Sequence, residues 1–122
     1  MDPEKLLTPA ELEIMRVLWA HGPAPVQAVV DALADDRAYT TVATLLKILE
    51  QKGFAESHKE GRRQVYAAVT PRPAYEERSV RSLVERVFDG DRAALVRTLL
   101  DSGDVDAAEL DAIRRLLDEA KR

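Results

Sequence analysis

The segment from residue 39 to residue 47 combines hydroxyl groups, a small methyl and one long cation. Four apolar residues recur around it with the i, i+3, i+4, i+7 spacing of a helix: Val42, Leu45, Leu46 and Leu49. A helix from Tyr39 to Lys52 is therefore predicted, with this apolar stripe facing inward. Hydroxyls and lysine can bond phosphates or base edges, and Ala and Thr methyls pack on thymine methyls. The candidates for contact in a DNA major groove are Tyr39, Thr40, Thr41, Ala43, Thr44 and Lys47. The alternative is that Thr40 and Thr41 only cap a solvated helix.

A cationic turn, Lys59-Glu60-Gly61-Arg62-Arg63, follows this helix between two predicted strands, 54–58 and 64–69. Gly61 supplies the positive φ that a tight hairpin needs. The planar guanidinium of arginine bonds phosphate in a bidentate manner, so a wing containing Gly61, Arg62 and Arg63 is predicted to contact the DNA backbone or the minor groove. Tyr66 is assigned to packing rather than to base stacking.

Charge is distributed unevenly along the 122 residues. The chain has 18 Lys and Arg against 22 Asp and Glu, a net charge of −4. The window from Arg37 to Arg72 has seven basic and three acidic residues, a net charge of +4, which leaves −8 for the remainder. A basic segment inside an acidic chain is typical of local docking on a polyanion.

Composition excludes several other classes of protein. With 46% hydrophobic and 33% charged residues, the chain is typical of a helix-rich globular protein rather than a disordered one. The absence of cysteine excludes disulfides, Cys-ligated zinc, iron–sulfur clusters and thiol catalysis, and favours a reducing cytoplasm. The apolar runs are too short for a membrane span, and the N-terminus Met1-Asp2-Pro3-Glu4-Lys5 lacks the features of a signal peptide.

Catalysis and metal binding find little support. The only histidines are His21, at a predicted helix end, and His58, on a predicted strand next to the turn, and nothing in the pattern places a catalytic carboxylate or serine beside either. Four acids cluster near the C-terminus, but acidic residues at helix starts are ordinary: Asp104, Asp106, Glu109 and Asp111. We expect no enzyme activity, no cofactor and no metal.

The order of the predicted elements indicates a fold. Thr8-Pro9-Ala10-Glu11 forms a capping box that starts a helix, and His21-Gly22-Pro23 ends it. Pro25 then opens a short second helix that extends through Leu33. Three helices followed by a hairpin indicate a mainly α fold with a small β-hairpin wing, a winged helix-turn-helix, assigned to residues 1–71 as a DNA-binding domain.

Thr70-Pro71-Arg72-Pro73 marks a boundary, and residues 72–122 are predicted to form three helices, with Asp91 and Asp106 as caps. These helices have apolar stripes that are wide for so short a segment. So short a segment is too small to bury these stripes by itself, whereas a second copy of the chain would cover them, so a homodimer is predicted. The candidate dimerisation residues are Val80, Leu83, Val84, Val87, Phe88, Leu95, Leu99, Leu110, Ile113 and Leu117.

Three segments carry a resemblance to a known family: residues 7–19, residues 38–46, which include Tyr39-Thr40-Thr41-Val42, and residues 52–54. Together they resemble the penicillinase repressor family of BlaI and MecI type, which has copper-responsive (CopY-type) relatives. The resemblance implies an N-terminal winged helix, a C-terminal three-helix dimerisation region, and repression by a homodimer on a palindromic operator. It also maps the recognition helix onto Thr40, Thr41, Thr44 and Lys47, and the wing onto Gly61, Arg62 and Arg63.

The chain departs from this family at two places. The copper-responsive members end in cysteine clusters, so a chain without cysteine is not expected to sense copper by that route. The antibiotic-responsive members are inactivated by cleavage at an Asn-Phe bond, where this chain reads Val96-Arg97-Thr98-Leu99. If a membrane-bound sensor protease is the inducer, we expect it to cut near Thr98 and Leu99. The main alternative is a winged helix that binds a protein partner instead of DNA.

Overall fold

The computed structural model describes residues 6–121, so the N-terminal pentapeptide used in the signal-peptide argument lies outside the described residues. The elements are α1 (Pro9–His21), β1 (Ala24–Pro25), α2 (Val26–Ala32), α3 (Tyr39–Gln51), β2 (Ala55–Glu60), β3 (Arg63–Ala68), α4 (Arg72–Val87), α5 (Arg92–Asp101) and α6 (Ala107–Ala120). The chain divides into two compact units, residues 1–80 and 81–122. The predicted order of helices and hairpin is confirmed.

Helix α1 begins with the predicted capping box. The Thr8 hydroxyl accepts a hydrogen bond from the Glu11 amide at 3.2 Å, and the Glu11 carboxylate accepts one from the Thr8 amide at 2.8 Å. Two amides that helix geometry leaves without partners are thereby satisfied. The helix ends at Gly22, whose φ of 81° is a conformation that residues with a Cβ rarely adopt.

The sheet has three antiparallel strands in the order β1-β3-β2. The hairpin register pairs Glu60 with Arg63, so the turn is only two residues long, Gly61 and Arg62. Gly61 has a φ of 64° at the first position of the turn, which is the requirement of a type II′ hairpin. The predicted strands were therefore wrong at the tip, because β2 continues through Lys59 and Glu60. Strand β1 was missed, since two residues carry no alternating pattern.

The core of the first unit lies between the helices and the sheet. Its completely buried apolar side chains include Ile14 and Met15 of α1, Val29 of α2, and Val42, Leu46 and Leu49 of α3. Phe54, between α3 and β2, is also buried, and its carbonyl accepts hydrogen bonds from the amides of Val69 and Thr70. The inward stripe predicted for α3 is confirmed.

A buried ion pair joins the start of α1 to the end of α3. The Lys52 ammonium donates to both carboxylate oxygens of Glu11, at 2.9 and 2.7 Å, and only 3% of the Glu11 side chain is exposed. Burial alone raises the pKa of Glu11, but the bonds from Lys52 and Thr8 outweigh it and lower the pKa below its usual value. Glu11 is therefore held as a carboxylate. It caps α1 and supplies the counter-charge for Lys52 at the end of α3.

Aromatic side chains attach the beginning of α4 to this core. Tyr75 is 8% exposed, and its ring centroid lies 5.9 Å from that of Trp19 and 5.9 Å from that of Phe54. The Trp19 indole donates to the Thr70 carbonyl at 2.8 Å. The division between the compact units lies inside α4, after residue 80, and the predicted domain boundary at residue 71 stays a prediction.

The second unit contains the later part of α4 together with α5 and α6. Asp91 and Asp106 cap α5 and α6 through bonds from the amides of Ala94 and Glu109, as predicted. Neither α5 nor α6 contains a buried residue.

The candidate dimerisation residues differ in exposure within one chain. Val87 is 63% and Leu99 55% exposed, and Val80, Leu83 and Leu117 are exposed as well. Half-buried are Phe88, Leu95, Leu110 and Ile113. Val84 is only 4% exposed in the single chain, and its assignment to a dimer interface stays a prediction.

We expect Glu11→Gln to destabilise the protein at neutral pH by about 3 kcal/mol, because it leaves the Lys52 charge buried without a counter-charge. The lowered pKa of Glu11 means that the ion pair stabilises the fold above the usual carboxyl pKa, and that this contribution is lost as the pH falls through the lowered value. The difference between wild type and variant should therefore shrink in acid, which urea unfolding at a series of pH values measures.

Glu13→Gln is the matched control, since Glu13 pairs with Arg37 at 2.7 Å but is 46% exposed. This change should cost less than about 1 kcal/mol. Equal losses for the two variants would contradict the role assigned to Glu11.

Candidate nucleic-acid interface

The outer face of α3 presents the side chains that the sequence singled out. Thr40, Thr41, Thr44 and Lys47 are exposed, and Ala43 is half-buried beside them. The residue before the helix is Ala38, and no side chain caps the helix, so the alternative role of Thr40 and Thr41 as caps was wrong. The Thr44 hydroxyl donates to the Thr40 carbonyl at 2.9 Å. This bond fixes the Thr44 rotamer and leaves the oxygen's acceptor capacity facing outward.

A groove of about 620 Å³ separates this face of α3 from β3. One wall contains five of the six predicted residues of α3, namely Tyr39, Thr40, Ala43, Thr44 and Lys47, whereas Thr41 lies outside the groove. The opposite wall is formed by Gln64 and Tyr66 of β3. The tertiary fold thus brings the helix face and the hairpin together as two sides of one concave surface.

A relay of hydrogen bonds connects the two walls. The Gln64 amide donates to the Ser57 hydroxyl at 2.8 Å, and that hydroxyl donates to the Glu50 carboxylate at 2.7 Å. All three side chains are partly buried. The relay joins β3 to β2 and β2 to the last turn of α3, so it restricts how the hairpin can move relative to the helix.

Glu50 also affects the electrostatics of the groove. Burial is the main cause that raises the pKa of Tyr66, and the negative charge of Glu50 and the presence of Tyr39 add to it. Tyr66 is therefore a neutral phenol at any physiological pH. It is also buried and part of the core cluster, which confirms its assignment to packing.

The tip of the hairpin exposes Gly61, Arg62 and Arg63. Among residues 6–121 neither arginine has an acidic partner within ion-pair distance. Two guanidinium groups on a short turn can bind phosphate oxygens without first giving up an intramolecular ion pair. They lie at the tip and do not line the groove itself.

Sequence reasoning missed three residues that shape this surface: Glu50, Ser57 and Gln64. Alternation along β3 could have placed Gln64 on the same face as Tyr66, since residues two apart in a strand share a face. The relay itself has no sequence signal, because it depends on hairpin register and on how α3 packs.

Neither histidine belongs to an assembled catalytic or metal-binding group in the described part of the chain. His21 is exposed, and His58 lies 3.8 Å from Glu60 on an exposed strand. Residues 6–121 contain no group of three metal-ligating side chains. Within the same range, no helix combines the length and the apolar character that crossing a membrane requires.

Comparison with known sequences decides the family. A sequence model described as penicillinase repressor matches residues 7–119. The chain belongs to the penicillinase repressor family. The penicillinase repressor of Bacillus licheniformis is 29% identical over 117 residues, which cover 94% of this chain and 91% of the relative. The methicillin resistance regulatory protein MecI of Mammaliicoccus sciuri is 21% identical over 115 residues, covering 93% and 94%.

Solved structures support the fold. The DNA-binding domain of the repressor BlaI, determined in solution, is 34% identical with a TM-score of 0.51 and covers 57% of this chain and 87% of that domain. MepR, a transcription regulator of a Staphylococcus aureus efflux pump, is 20% identical with a TM-score of 0.52 over 93% of this chain and 77% of its own, and supports the fold alone. The predicted fold class is confirmed, and family membership makes this repressor a transcriptional regulator rather than an enzyme.

We expect Ser57→Ala to destabilise the repressor by about 1 kcal/mol, because it leaves the Glu50 carboxylate and the Gln64 amide without their shared partner. Gln64→Ala in the Ser57→Ala background should then cost much less than Gln64→Ala alone. Urea unfolding of the two single variants and the double variant measures this coupling. Additive losses would show that the three side chains do not act as one relay.

Proposed function

We propose that this repressor binds a palindromic DNA operator as a homodimer, with α3 in the major groove and the hairpin on the backbone. The observation that carries the proposal is the single concave surface that α3 and β3 form beside an unpaired cationic turn. Family membership supports DNA as the partner. A cytoplasmic location is part of the same proposal, since a DNA-binding repressor must reach its operator.

The outer face of α3 and the tip of the hairpin have different tasks in this proposal. Thr44 and Lys47 reach base edges, where hydroxyls and ammonium groups distinguish one base pair from another. Arg62 and Arg63 bind phosphates and set the register of the protein on the duplex. The local charge of +4 between Arg37 and Arg72 attracts the polyanion despite the net charge of −4.

We expect Thr44→Val and Lys47→Ala to weaken operator binding by about 1–3 kcal/mol each and to relax sequence preference, because both side chains face away from the core. Arg62→Ala and Arg63→Ala should weaken operator and random duplexes to a similar extent, and each should reduce the slope of log K against log salt by about 1. Fluorescence anisotropy with both duplexes over a salt series measures these effects.

Two outcomes would contradict this assignment. Operator affinity equal to wild type in all four variants would remove both the helix and the hairpin from the interface. Binding to duplex DNA that does not depend on salt would favour the alternative of a protein-interaction module, since neutralising phosphates releases counterions.

The exposed apolar side chains of the second unit support the homodimer. Large apolar side chains are exposed to water on each helix of this unit in one chain: Leu83 and Val87 on α4, Leu99 on α5 and Leu117 on α6. Since α5 and α6 bury no residue, a second copy is the proposed source of the missing core. A two-fold dimer would place its recognition helices about one helical turn of DNA, roughly 34 Å, or a multiple of it, apart.

Leu83→Glu combined with Val87→Glu should produce a monomer, as measured by light scattering, because two charges cannot be buried between subunits. Affinity for the full palindrome should fall by a factor of about 10² to 10⁴, and affinity for a half-site should stay unchanged. Arg86→Glu, which also adds a glutamate to the exposed surface of α4, is the control and should stay dimeric. A double variant that remains dimeric would place the interface elsewhere.

A membrane-bound sensor protease is the proposed inducer, and the proposed cut lies near Thr98 and Leu99 in the middle of α5. Both side chains are exposed, and α5 buries no residue, so this helix can open locally at low cost. Cleavage there would remove part of the proposed dimer interface. Mass spectrometry of the chain recovered from induced cells should then show a fragment ending at this site, whereas an intact chain would contradict proteolysis.

A further inference from the structure

A second cavity, of about 390 Å³, lies inside the first unit between α1 and the first half of α4. It is separate from the groove beside α3. One side is formed by Leu12, Arg16 and Trp19 of α1, and the other by Arg72, Tyr75 and Glu76 of α4. Its volume is within the range of roughly 300–1,000 Å³ that is usual for small-molecule sites.

The aromatic walls of this cavity are held in place by their polar ends. The Trp19 indole N–H donates a hydrogen bond to the Thr70 carbonyl at 2.8 Å, and the Tyr75 hydroxyl accepts a hydrogen bond from the Leu7 amide at 3.0 Å. The ring planes are tilted by 38° with their centroids 5.9 Å apart. These bonds restrict the orientation of both rings, so the ring surface that forms part of the cavity wall is already in place without a ligand.

Two arginines also line the cavity, Arg16 and Arg72, and the guanidinium group of Arg72 lies over the Trp19 ring. The Arg72 carbon Cζ is 6.0 Å from the Trp19 ring centroid, and Arg72 Nε contacts the Glu76 carboxylate at 3.3 Å. That pair is exposed on both sides, and such i,i+4 pairs contribute little, so another carboxylate can replace Glu76. Arg16 is exposed and has no ion-pair partner among residues 6–121.

We propose that this cavity is a binding site for a small planar carboxylate. An aromatic ring would pack against Trp19 and Tyr75, while the carboxylate would accept hydrogen bonds from Arg16 and Arg72. An apolar ring alone would leave the guanidinium groups unused, and a charge without a ring would leave the aromatic walls in water. The chemistry of the cavity therefore selects ligands that have both features.

The site also has a regulatory consequence, which rests on the proposed function. Helix α4 begins in the first unit and continues into the second, which contains the proposed dimer interface. A ligand that bridges α1 and α4 acts on the one helix that both units share. Occupancy should therefore change operator affinity, although neither wall of the cavity belongs to the DNA-binding groove.

The chain has one tryptophan, so its fluorescence reports on this cavity directly. Benzoate should change the Trp19 emission of the DNA-free protein in a saturable manner, with a Kd of about 1 mM, a reasonable affinity for so small a ligand. Benzamide, which keeps the ring without the charge, and cyclohexanecarboxylate, which keeps the charge without the aromatic ring, should each bind at least about tenfold more weakly.

Variants distinguish direct binding of benzoate by the two guanidinium groups from a general effect of positive charge. Arg16→Gln and Arg72→Gln should each weaken benzoate binding about tenfold and leave benzamide binding unchanged. Glu76→Gln should strengthen benzoate binding about twofold, because it removes the carboxylate that competes for Arg72. Arg97→Gln, which removes an exposed arginine of α5, is the matched control and should have no effect.

Equal binding of benzoate and benzamide, or benzoate binding that persists in the Arg16→Gln, Arg72→Gln double variant, would overturn the site. These measurements need no DNA, so their failure is distinct from failure of the operator proposal. Operator binding at saturating benzoate tests the regulatory part. An operator Kd unchanged by benzoate would overturn that part, and a shifted Kd that Arg72→Gln abolishes would support it.

Discussion

The buried ion pair between Glu11 and Lys52 is the contact on which the arrangement of the first unit depends. Glu11 lies in the first turn of α1, and Lys52 is the residue at which α3 ends, so the pair connects a helix start to a helix end. Directly after Lys52 the chain turns through Gly53 into buried Phe54 and then into the hairpin. The pair therefore fixes the end of α3, from which the chain enters the hairpin, to the start of α1.

Two further sets of contacts also fix the orientation of the candidate interface. The relay from Gln64 through Ser57 to Glu50 connects the hairpin to α3, and Val42, Leu46 and Leu49 on the inner side of α3 are completely buried in the core. A helix held on its inner side and linked at its last turn presents its outer side in one orientation. Positioning groups rigidly in this way lowers the entropy lost on binding and so favours affinity.

The two compact units differ in how completely they bury apolar surface. The first has a contiguous core, to which α4 contributes Tyr75 through contacts with Trp19 and Phe54. The second has two helices without a buried residue. Exposed apolar area costs free energy in proportion to its size. The hydrophobic effect therefore favours association of the second unit more than of the first.

Much of this protein was determined by local sequence. The capping box at Thr8 and Glu11, the inward stripe of α3, the caps at Asp91 and Asp106, and the positive φ of Gly61 follow from side-chain chemistry within a few residues, so they are predictable. Other features required the tertiary structure. Strand β1, the burial of Val84, the relay through Ser57, and the cavity beside Trp19 join residues distant in sequence or depend on packing. No periodicity encodes which distant side chains meet, because burial and hydrogen-bond geometry are properties of the folded chain as a whole.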